Sequence, residues 1–154
     1  AMSRAWRPSR AWHSWQAAHR LAFYGIATPQ PLALVEERLG PLRGRAFLVT
    51  EHCPGRNLRD SLDPGSEPAP EQQAAIRDLF RSLCAQRITH GDLKASNLLW
   101  HDGQVVLIDL DAMVQHRLDS AFVRDWRSDR QRLLRNWPAD SVLVRWLDRE
   151  LPVF

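Results

Sequence analysis

The sequence from His90 to Asn97 reads HGDLKASN, and IDLD follows from Ile108 to Asp111. Between them lie two short apolar runs, at residues 98–100 and 105–108, on either side of an Asp102-Gly103 pair. An Asp-Gly pair flanked by two such runs is a strong signal for a β-hairpin. The sequence therefore predicts a polar loop, a hairpin and a second polar segment, in that order.

Four polar side chains in these segments have the chemistry that phosphoryl transfer requires. The reaction needs a carboxylate that positions a hydroxyl and accepts its proton, oxygen ligands for Mg²⁺, and a cation near the migrating charge. Asp92 suits the first role, and Lys94 is a mobile point charge for the last. Asn97 and Asp109 supply the hard oxygen atoms that Mg²⁺ prefers. We therefore predict Asp92 and Lys94 as catalytic residues and Asn97 and Asp109 as metal ligands.

Each of these residues also has an ordinary structural interpretation. Gly-Asp pairs are common in turns, so Asp92 alone would fit a turn cap, and Lys94 alone would fit a solvated loop. The combined offsets of the four residues favour the functional interpretation. For Asp111 two roles are equally compatible with the sequence: it assists the metal, or it caps the segment that follows. We interpret His90 as a structural residue that packs and hydrogen-bonds the loop.

Periodicity over the rest of the chain predicts an α+β fold. A first helix is expected from residue 8 to about residue 24, followed by strands at residues 32–36 and 45–51 with Gly40 and Gly44 in the loop between them. A second amphipathic helix begins at Pro70, and its apolar stripe is Ile76, Leu79, Phe80, Leu83 and Cys84. Two Arg-rich helices complete the chain, and Pro138 is expected to end the first of them.

Composition narrows the functional classes. The 154-residue chain carries 21 basic and 18 acidic residues and a formal charge of +3, and Lys94 is its only lysine. The arginines are interleaved with acids, which argues against nucleic-acid binding. Cys53 and Cys84 lack metal-ligand spacing and are predicted to be reduced thiols. We expect no membrane span and no signal peptide, and nothing in the sequence dictates an oligomer.

The catalytic string resembles the kinase catalytic loop, with Gly91 where protein kinases carry arginine and Asp109 where their metal-binding Asp-Phe-Gly begins. The His-Gly-Asp form with IDLD is similar to the lipopolysaccharide core kinase family, the Kdo and heptose kinases of Gram-negative bacteria. Residues 9–15 (SRAWHSW), 25–34 (GIATPQPLAL) and 47–51 (FLVTE) extend the resemblance over nearly the whole chain.

This resemblance implies a protein-kinase-like fold with two lobes and the cofactors ATP and Mg²⁺. Residues 1–52 would form a partial N-terminal lobe, a helix plus two or more strands. Residues 53–154 would form a mostly helical C-terminal lobe with the catalytic hairpin. Glu51, His52 and Cys53 would form the hinge that holds adenine through backbone groups. Asp125 and Asp129 are equal candidates for the acid that braces the catalytic loop from the following helix.

The chain departs from the kinase pattern at its start. It contains neither the Gly-rich loop nor the strand lysine that hold the nucleotide phosphates, since Lys94 already has another role. An alanine precedes Met2. We interpret these features as truncation of a longer protein; a naturally reduced relative is the alternative.

Three functions are compatible with these observations. The favoured one is an ATP-dependent phosphotransferase that acts on a sugar hydroxyl of the lipopolysaccharide inner core, at the cytoplasmic face of the inner membrane, as a soluble or peripheral protein. The second is a kinase of a small alcohol such as an aminoglycoside or a choline-like compound, which the Arg-dense C-terminal helices disfavour. The third is a kinase-like binding module without catalysis, which the missing lysine favours and the intact Asp92, Asn97 and Asp109 oppose.

Overall fold

A computed structural model describes residues 8–40 and 42–154. The helices of this part of the chain are α1 (Arg10–Phe23), α2 (Leu58–Ser61), α3 (Pro70–Ala85), α4 (Asp119–Leu134) and α5 (Val142–Glu150). The strands are β1 (Pro31–Leu39), β2 (Leu42–Thr50), β3 (Arg56–Asn57), β4 (Ile88–Thr89), β5 (Leu98–His101), β6 (Gln104–Leu107) and β7 (Val114–Gln115). The predicted mixture of helix and strand is confirmed, and the division into two lobes at residue 52 stays a prediction.

Helix α1 has a clear start and stop signal at its two ends. The side chain of Ser9 accepts a hydrogen bond from the backbone N–H of Trp12 at 2.9 Å, which satisfies one of the unpaired donors of the first turn. At the other end Gly25 adopts a φ of 69°. The N–H of Ile26 then donates to the carbonyl of Leu21 at 2.9 Å, in the pattern of a Schellman motif.

Strands β1 and β2 form an antiparallel hairpin with Val35 opposite Phe47. Both strands are longer than the sequence analysis predicted, and Gly44 lies inside β2 rather than in the connecting loop. The predicted strands coincide with the apolar runs at residues 32–35 and 46–49, which stop short of the end of each strand nearest the turn. The backbone pairing continues past that point to Leu39 opposite Leu42, because the hydrogen bonds of an antiparallel pair do not depend on apolar side chains.

Strands β5 and β6 form the predicted catalytic hairpin, with Leu98 opposite Leu107. The turn residues Asp102 and Gly103 have φ angles of 47° and 74°. Two positive φ angles are the geometry that an Asp-Gly hairpin turn favours. Strand β3 pairs with the outer side of β5 and makes a three-stranded sheet.

The core lies between this sheet and the surrounding helices, including α1, α3, α4 and α5. The α3 stripe is buried as predicted, except for Cys84, which is half-buried. Phe80 of α3 meets Trp126 of α4 in an edge-to-face contact with ring centroids 5.8 Å apart. The apolar part of α3 therefore anchors α4, the helix that reaches the catalytic loop.

Helix α4 ends at Leu134, before the predicted stop at Pro138. The side-chain amide of Asn136 donates to the carbonyls of Arg132 and Leu133, at 2.9 and 2.8 Å. These bonds satisfy carbonyls that the last turn leaves open, so the helix ends here without the proline. Trp137 lies beyond the helix and is buried.

Two further sequence expectations concern the chain as a whole. In the part of the chain that the structure describes, no helix is both long enough and apolar enough to cross a membrane. Cys53 and Cys84 are free thiols, and burial raises the pKa of Cys84 to about 12. Cys84 is therefore a protonated packing residue at neutral pH.

Candidate active site

The loop of residues 90–97 is fixed to α4 through one buried carboxylate. Asp129, 1% exposed, accepts the backbone N–H groups of His90 at 2.7 Å and Gly91 at 3.0 Å on the same oxygen, Oδ2. Of the two acids left open by the sequence, Asp129 is thus the one that braces the loop. Asp125 instead forms a surface ion pair with Arg124 at 2.8 Å.

His90 joins the loop to the end of the catalytic hairpin. Its Nε2 lies 2.9 Å from the carbonyl oxygen of Ile108, and its Nδ1 accepts the backbone N–H of Asp92 at 3.3 Å. The ring is buried at 1% exposure. These contacts leave no face of the imidazole open for chemistry, in line with the structural role predicted for it.

Gly91 occupies a position that excludes any side chain. Its φ is 79°, and a Cβ atom there would lie 2.4 Å from the carbonyl oxygen of Ala112. An L-residue would have to adopt a left-handed conformation and displace backbone at the same time. The close approach of Ala112 therefore leaves no room for an arginine at this position.

Asp92 is an ionised carboxylate held between two cations. Lys94 Nζ lies 2.7 Å from its Oδ2, and Arg132 Nε lies 3.7 Å from its Oδ1. The hydrogen bond from Lys94 is the main cause that lowers the pKa of Asp92; burial, the next largest effect, raises it, and the charges of Lys94 and Arg132 lower it further. The side chain remains 31% exposed, so an acceptor group can reach it.

Asn97 and Asp109 flank the open end of the β5–β6 hairpin. The backbone N–H of Ile108 donates to the carbonyl of Asn97 at 3.0 Å, which places Asp109 next to Asn97. The Asn97 Nδ2 donates to the Asp92 carbonyl at 2.9 Å, so its Oδ1 is the atom left for a ligand. Asp109 has a φ of 59°, and its carboxylate makes no hydrogen bond or ion pair with the described residues.

The Asn97 Oδ1 and the Asp109 carboxylate suit an Mg²⁺ ion that also binds substrate, rather than a metal ion held by protein ligands alone. Residues 8–40 and 42–154 contain no group of three or more His, Cys, Asp or Glu side chains that could hold a metal ion. Mg²⁺ is commonly held by one or two protein oxygens together with substrate phosphates and water. An amide oxygen and a free carboxylate side by side satisfy that requirement. Asp111 lies 3.7 Å from Arg10, which pairs it with α1.

Two adjoining recesses lead from this site toward the predicted hinge. One, of about 250 Å³, is lined by Asp109 and by Leu48 and Thr50 of β2. The other, of about 310 Å³, is lined by Glu51, His52 and Cys53. Thr28 and Pro29 border both recesses. The predicted hinge residues and Asp109 therefore line neighbouring recesses that share Thr28 and Pro29.

Only some backbone groups of the hinge segment are open to a ligand. The N–H of Glu51 donates to the carbonyl of Gln30 at 2.8 Å. A nucleotide would therefore have to use the Glu51 carbonyl or the groups of His52 and Cys53. The same bond fixes the start of the segment against the chain that precedes β1.

The sequence analysis missed Arg132. Its Nη1 donates to the carbonyl of Gly91 at 2.7 Å and to Asp129 Oδ1 at 3.1 Å. The spacing of three residues between Asp129 and Arg132 on a helix was the available signal. Because Asp129 holds the loop against α4, a residue one helical turn after it, such as Arg132, also reaches that loop.

A protein-family model described as "Lipopolysaccharide kinase (Kdo/WaaP) family" matches residues 3–144. The chain belongs to this family. The match includes the catalytic loop, the hairpin and Asp109, and it confirms the resemblance inferred from the sequence. The family assignment thus agrees with the geometry around Asp92, Asn97 and Asp109.

Two curated relatives and one solved structure give the extent of the similarity. A 3-deoxy-D-manno-octulosonic acid kinase of Mannheimia succiniciproducens is 31% identical over 107 residues, which cover 67% of this chain and 45% of that protein. The RIO-type serine/threonine-protein kinase Rio1 of Haloferax volcanii is 32% identical over 112 residues, covering 68% of this chain and 34% of that protein. The chain spans less than half the length of either relative.

The solved structure of WaaP in complex with acyl carrier protein superimposes on this chain with a TM-score of 0.58. The sequence identity is 20%, and the superposition covers 91% of this chain and 70% of that one. At this identity the likeness shows a shared fold. The mixed helix and strand architecture is therefore similar to that of WaaP.

Proposed function

We propose that this chain carries the catalytic part of an ATP-dependent phosphotransferase that phosphorylates a sugar hydroxyl of the lipopolysaccharide inner core. The observation that carries the proposal is the ionised Asp92, held 2.7 Å from Lys94 in a loop that also presents Asn97. Membership of the lipopolysaccharide kinase family supports the reaction class.

Asp92 has the role of the base in this proposal. It orients the acceptor hydroxyl and takes its proton while the acceptor oxygen forms a bond to the γ-phosphorus and the bond to the ADP oxygen breaks. The hydrogen bond from Lys94 lowers the pKa of Asp92, so the carboxylate is ionised at neutral pH and can accept a hydrogen bond from the acceptor hydroxyl. Lys94, 49% exposed, can follow the transferred phosphoryl group and offset its charge.

Asn97 and Asp109 have the role of metal ligands. Mg²⁺, when bound, would neutralise phosphate charge and fix the phosphates for transfer. The chain contributes the Asn97 Oδ1 and the Asp109 carboxylate, held together by the backbone bond between Ile108 and Asn97. The nucleotide base would lie in the recess lined by Glu51, His52 and Cys53.

The proposed acceptor and location rest on the similarity to one curated relative and on the charge of the C-terminal helices. One relative is named for 3-deoxy-D-manno-octulosonic acid, a sugar acid. The C-terminal helices of this chain are rich in arginine, which suits an anionic acceptor and contact with an anionic membrane surface. We place the protein at the cytoplasmic face of the inner membrane, as a soluble or peripheral protein without a nucleic-acid partner.

A comparison of acceptors tests this proposal. The protein is incubated with Mg²⁺ and ATP labelled at the γ-phosphate, in parallel with a lipid A precursor that carries the sugar acid and with kanamycin. We expect label in the lipid and none in kanamycin, with loss of transfer in EDTA. Transfer to kanamycin alone would establish the small-alcohol kinase instead. Nucleotide binding without transfer to either acceptor would favour the binding module.

A further inference from the structure

Arg132 is fixed beside Asp92 by contacts that use only part of its guanidinium group. Its Nη1 donates to the Gly91 carbonyl and to Asp129 Oδ1, and its Nε faces Asp92. A guanidinium carries five N–H donors, two of them on Nη2. Within the described parts of the chain, both hydrogen bonds of the Arg132 side chain come from Nη1, so the N–H groups of Nη2 are left for a ligand.

The open edge of Arg132 lies where an acceptor must approach. The Arg132 side chain is 36% exposed and Asp92 is 31% exposed. Lys94 contacts Oδ2 of Asp92, whereas Arg132 faces Oδ1. A hydroxyl that reaches Asp92 therefore arrives between two cations, of which Lys94 is already assigned to the phosphoryl group.

We propose that Arg132 binds a carboxylate of the acceptor through Nη2 and thereby selects an anionic acceptor. This inference rests on the proposed function and adds a specificity-determining residue to it. The planar fork of arginine matches a carboxylate, and the contacts to Gly91 and Asp129 already hold the group in place, so little conformational freedom is lost on binding.

The same arrangement disfavours a cationic acceptor. An ammonium group next to the reacting hydroxyl would face both Lys94 and Arg132, and like charges at short range raise the free energy of the complex. Asp92 would attract it, but both oxygens of Asp92 already face cations. The immediate surroundings of the base therefore distinguish acceptors by charge.

The experiment measures kcat/KM for two acceptors that differ at one carboxyl group, which is charged in one and esterified in the other. One is the lipid A precursor with a free sugar carboxylate, and the other is its carboxyl methyl ester. Three proteins are compared: the unmodified protein, Arg132→Gln, and the matched control Arg124→Gln. Arg124 is also an exposed arginine of α4, paired with Asp125, and lies about 12 Å along the helix axis from Arg132.

We expect the unmodified protein to prefer the acid over the ester by about 10- to 100-fold, the value of a charge-assisted hydrogen bond. Arg132→Gln should reduce that ratio to near one, and Arg124→Gln should keep it. A general disturbance of Asp92 would lower both rates together and cancel in the ratio. If Arg132→Gln does not fold, Arg132→Lys replaces it and should also lower the ratio.

An unchanged ratio in the Arg132 variant would overturn the inference while leaving the proposed function intact. Equal rates for acid and ester in the unmodified protein would do the same. If the unmodified protein transfers phosphate to neither acceptor, the proposed function fails and the inference fails with it.

Discussion

The carboxylate of Asp129 accepts the backbone N–H of His90 at 2.7 Å although 39 residues separate them in the sequence. Asp129 is almost completely buried, and its charge is balanced by two loop N–H groups and by Arg132. Buried charges are tolerated only with such partners. The catalytic loop and α4 therefore form one unit, and the position of Asp92 depends on the packing of α4.

Replacing Asp129 by Asn should destabilise the protein by about 2–3 kcal/mol, because the loop N–H groups and Arg132 would lose a charged partner. Urea unfolding followed by circular dichroism measures the change. Asp125→Asn is the matched control on the same helix, and its exposed ion pair with Arg124 should contribute less than about 1 kcal/mol. Equal effects of the two substitutions would contradict the assignment of Asp129 as the brace.

Replacing Gly91 by Ala should destabilise the protein and displace the catalytic loop. Gly25→Ala is the comparison, since Gly25 also has a positive φ but no atom within 4 Å of the added Cβ. Gly25→Ala should cost about 1–2 kcal/mol from the left-handed conformation alone. Gly91→Ala adds a clash with the Ala112 carbonyl and should cost clearly more and lower turnover. Equal costs by thermal unfolding would refute the close approach.

The catalytic loop, the hairpin and the apolar faces of the helices could be predicted because their signals are local. Asp102-Gly103 specifies its turn by itself, and the α3 stripe follows from spacing alone. The choice of Asp129 over Asp125 was also within reach. Asp129 lies three residues after the buried Trp126 and four before the buried Leu133, on the apolar stripe of α4.

Other features depend on contacts between distant segments and have no local signal. Arg132 is positioned by its hydrogen bond to the carbonyl of Gly91, which lies 41 residues away in the sequence. The requirement for Gly91 comes from the approach of Ala112, which only the folded chain brings about. The length of β1 and β2 was underestimated, because backbone pairing in an antiparallel hairpin continues where the apolar run has stopped.

The pKa of Asp92 should lie below the ordinary value of about 3.9 and rise toward it in Lys94→Gln, which removes the main hydrogen bond. A folded-state pKa below the unfolded one stabilises the protein above about pH 3.9, and this contribution is lost as the pH falls through the folded value. Because Asp92 is partly exposed, this contribution to the free energy of unfolding is at most about 1 kcal/mol.

Carboxyl ¹³C NMR titration measures this pKa directly. Arg124→Gln is the control: it should leave Asp92 unchanged and raise the pKa of Asp125, which the Arg124 hydrogen bond lowers. An Asp92 pKa that does not respond to Lys94→Gln would show that the two side chains do not interact in solution.

Asp109→Ala should abolish Mg²⁺-dependent nucleotide binding. A ligand at about 100 times its dissociation constant stabilises a protein by about 2.7 kcal/mol, so Mg·ATP should raise the melting temperature by several degrees. The shift should vanish in Asp109→Ala and persist in Asp111→Ala, whose carboxylate pairs with Arg10 instead. Loss of the shift only in Asp111→Ala would place the metal at Asp111.

The most direct test of the account is the turnover of Asp92→Asn with the inner-core acceptor, measured beside ATP binding and thermal stability. Asn keeps the shape of Asp92 and its proximity to Lys94 but cannot take the proton. We predict a fall in kcat of about 10²- to 10⁴-fold, with ATP affinity and melting temperature nearly unchanged. Turnover in Asp92→Asn equal to that of the unmodified protein would contradict the role of Asp92 as the base.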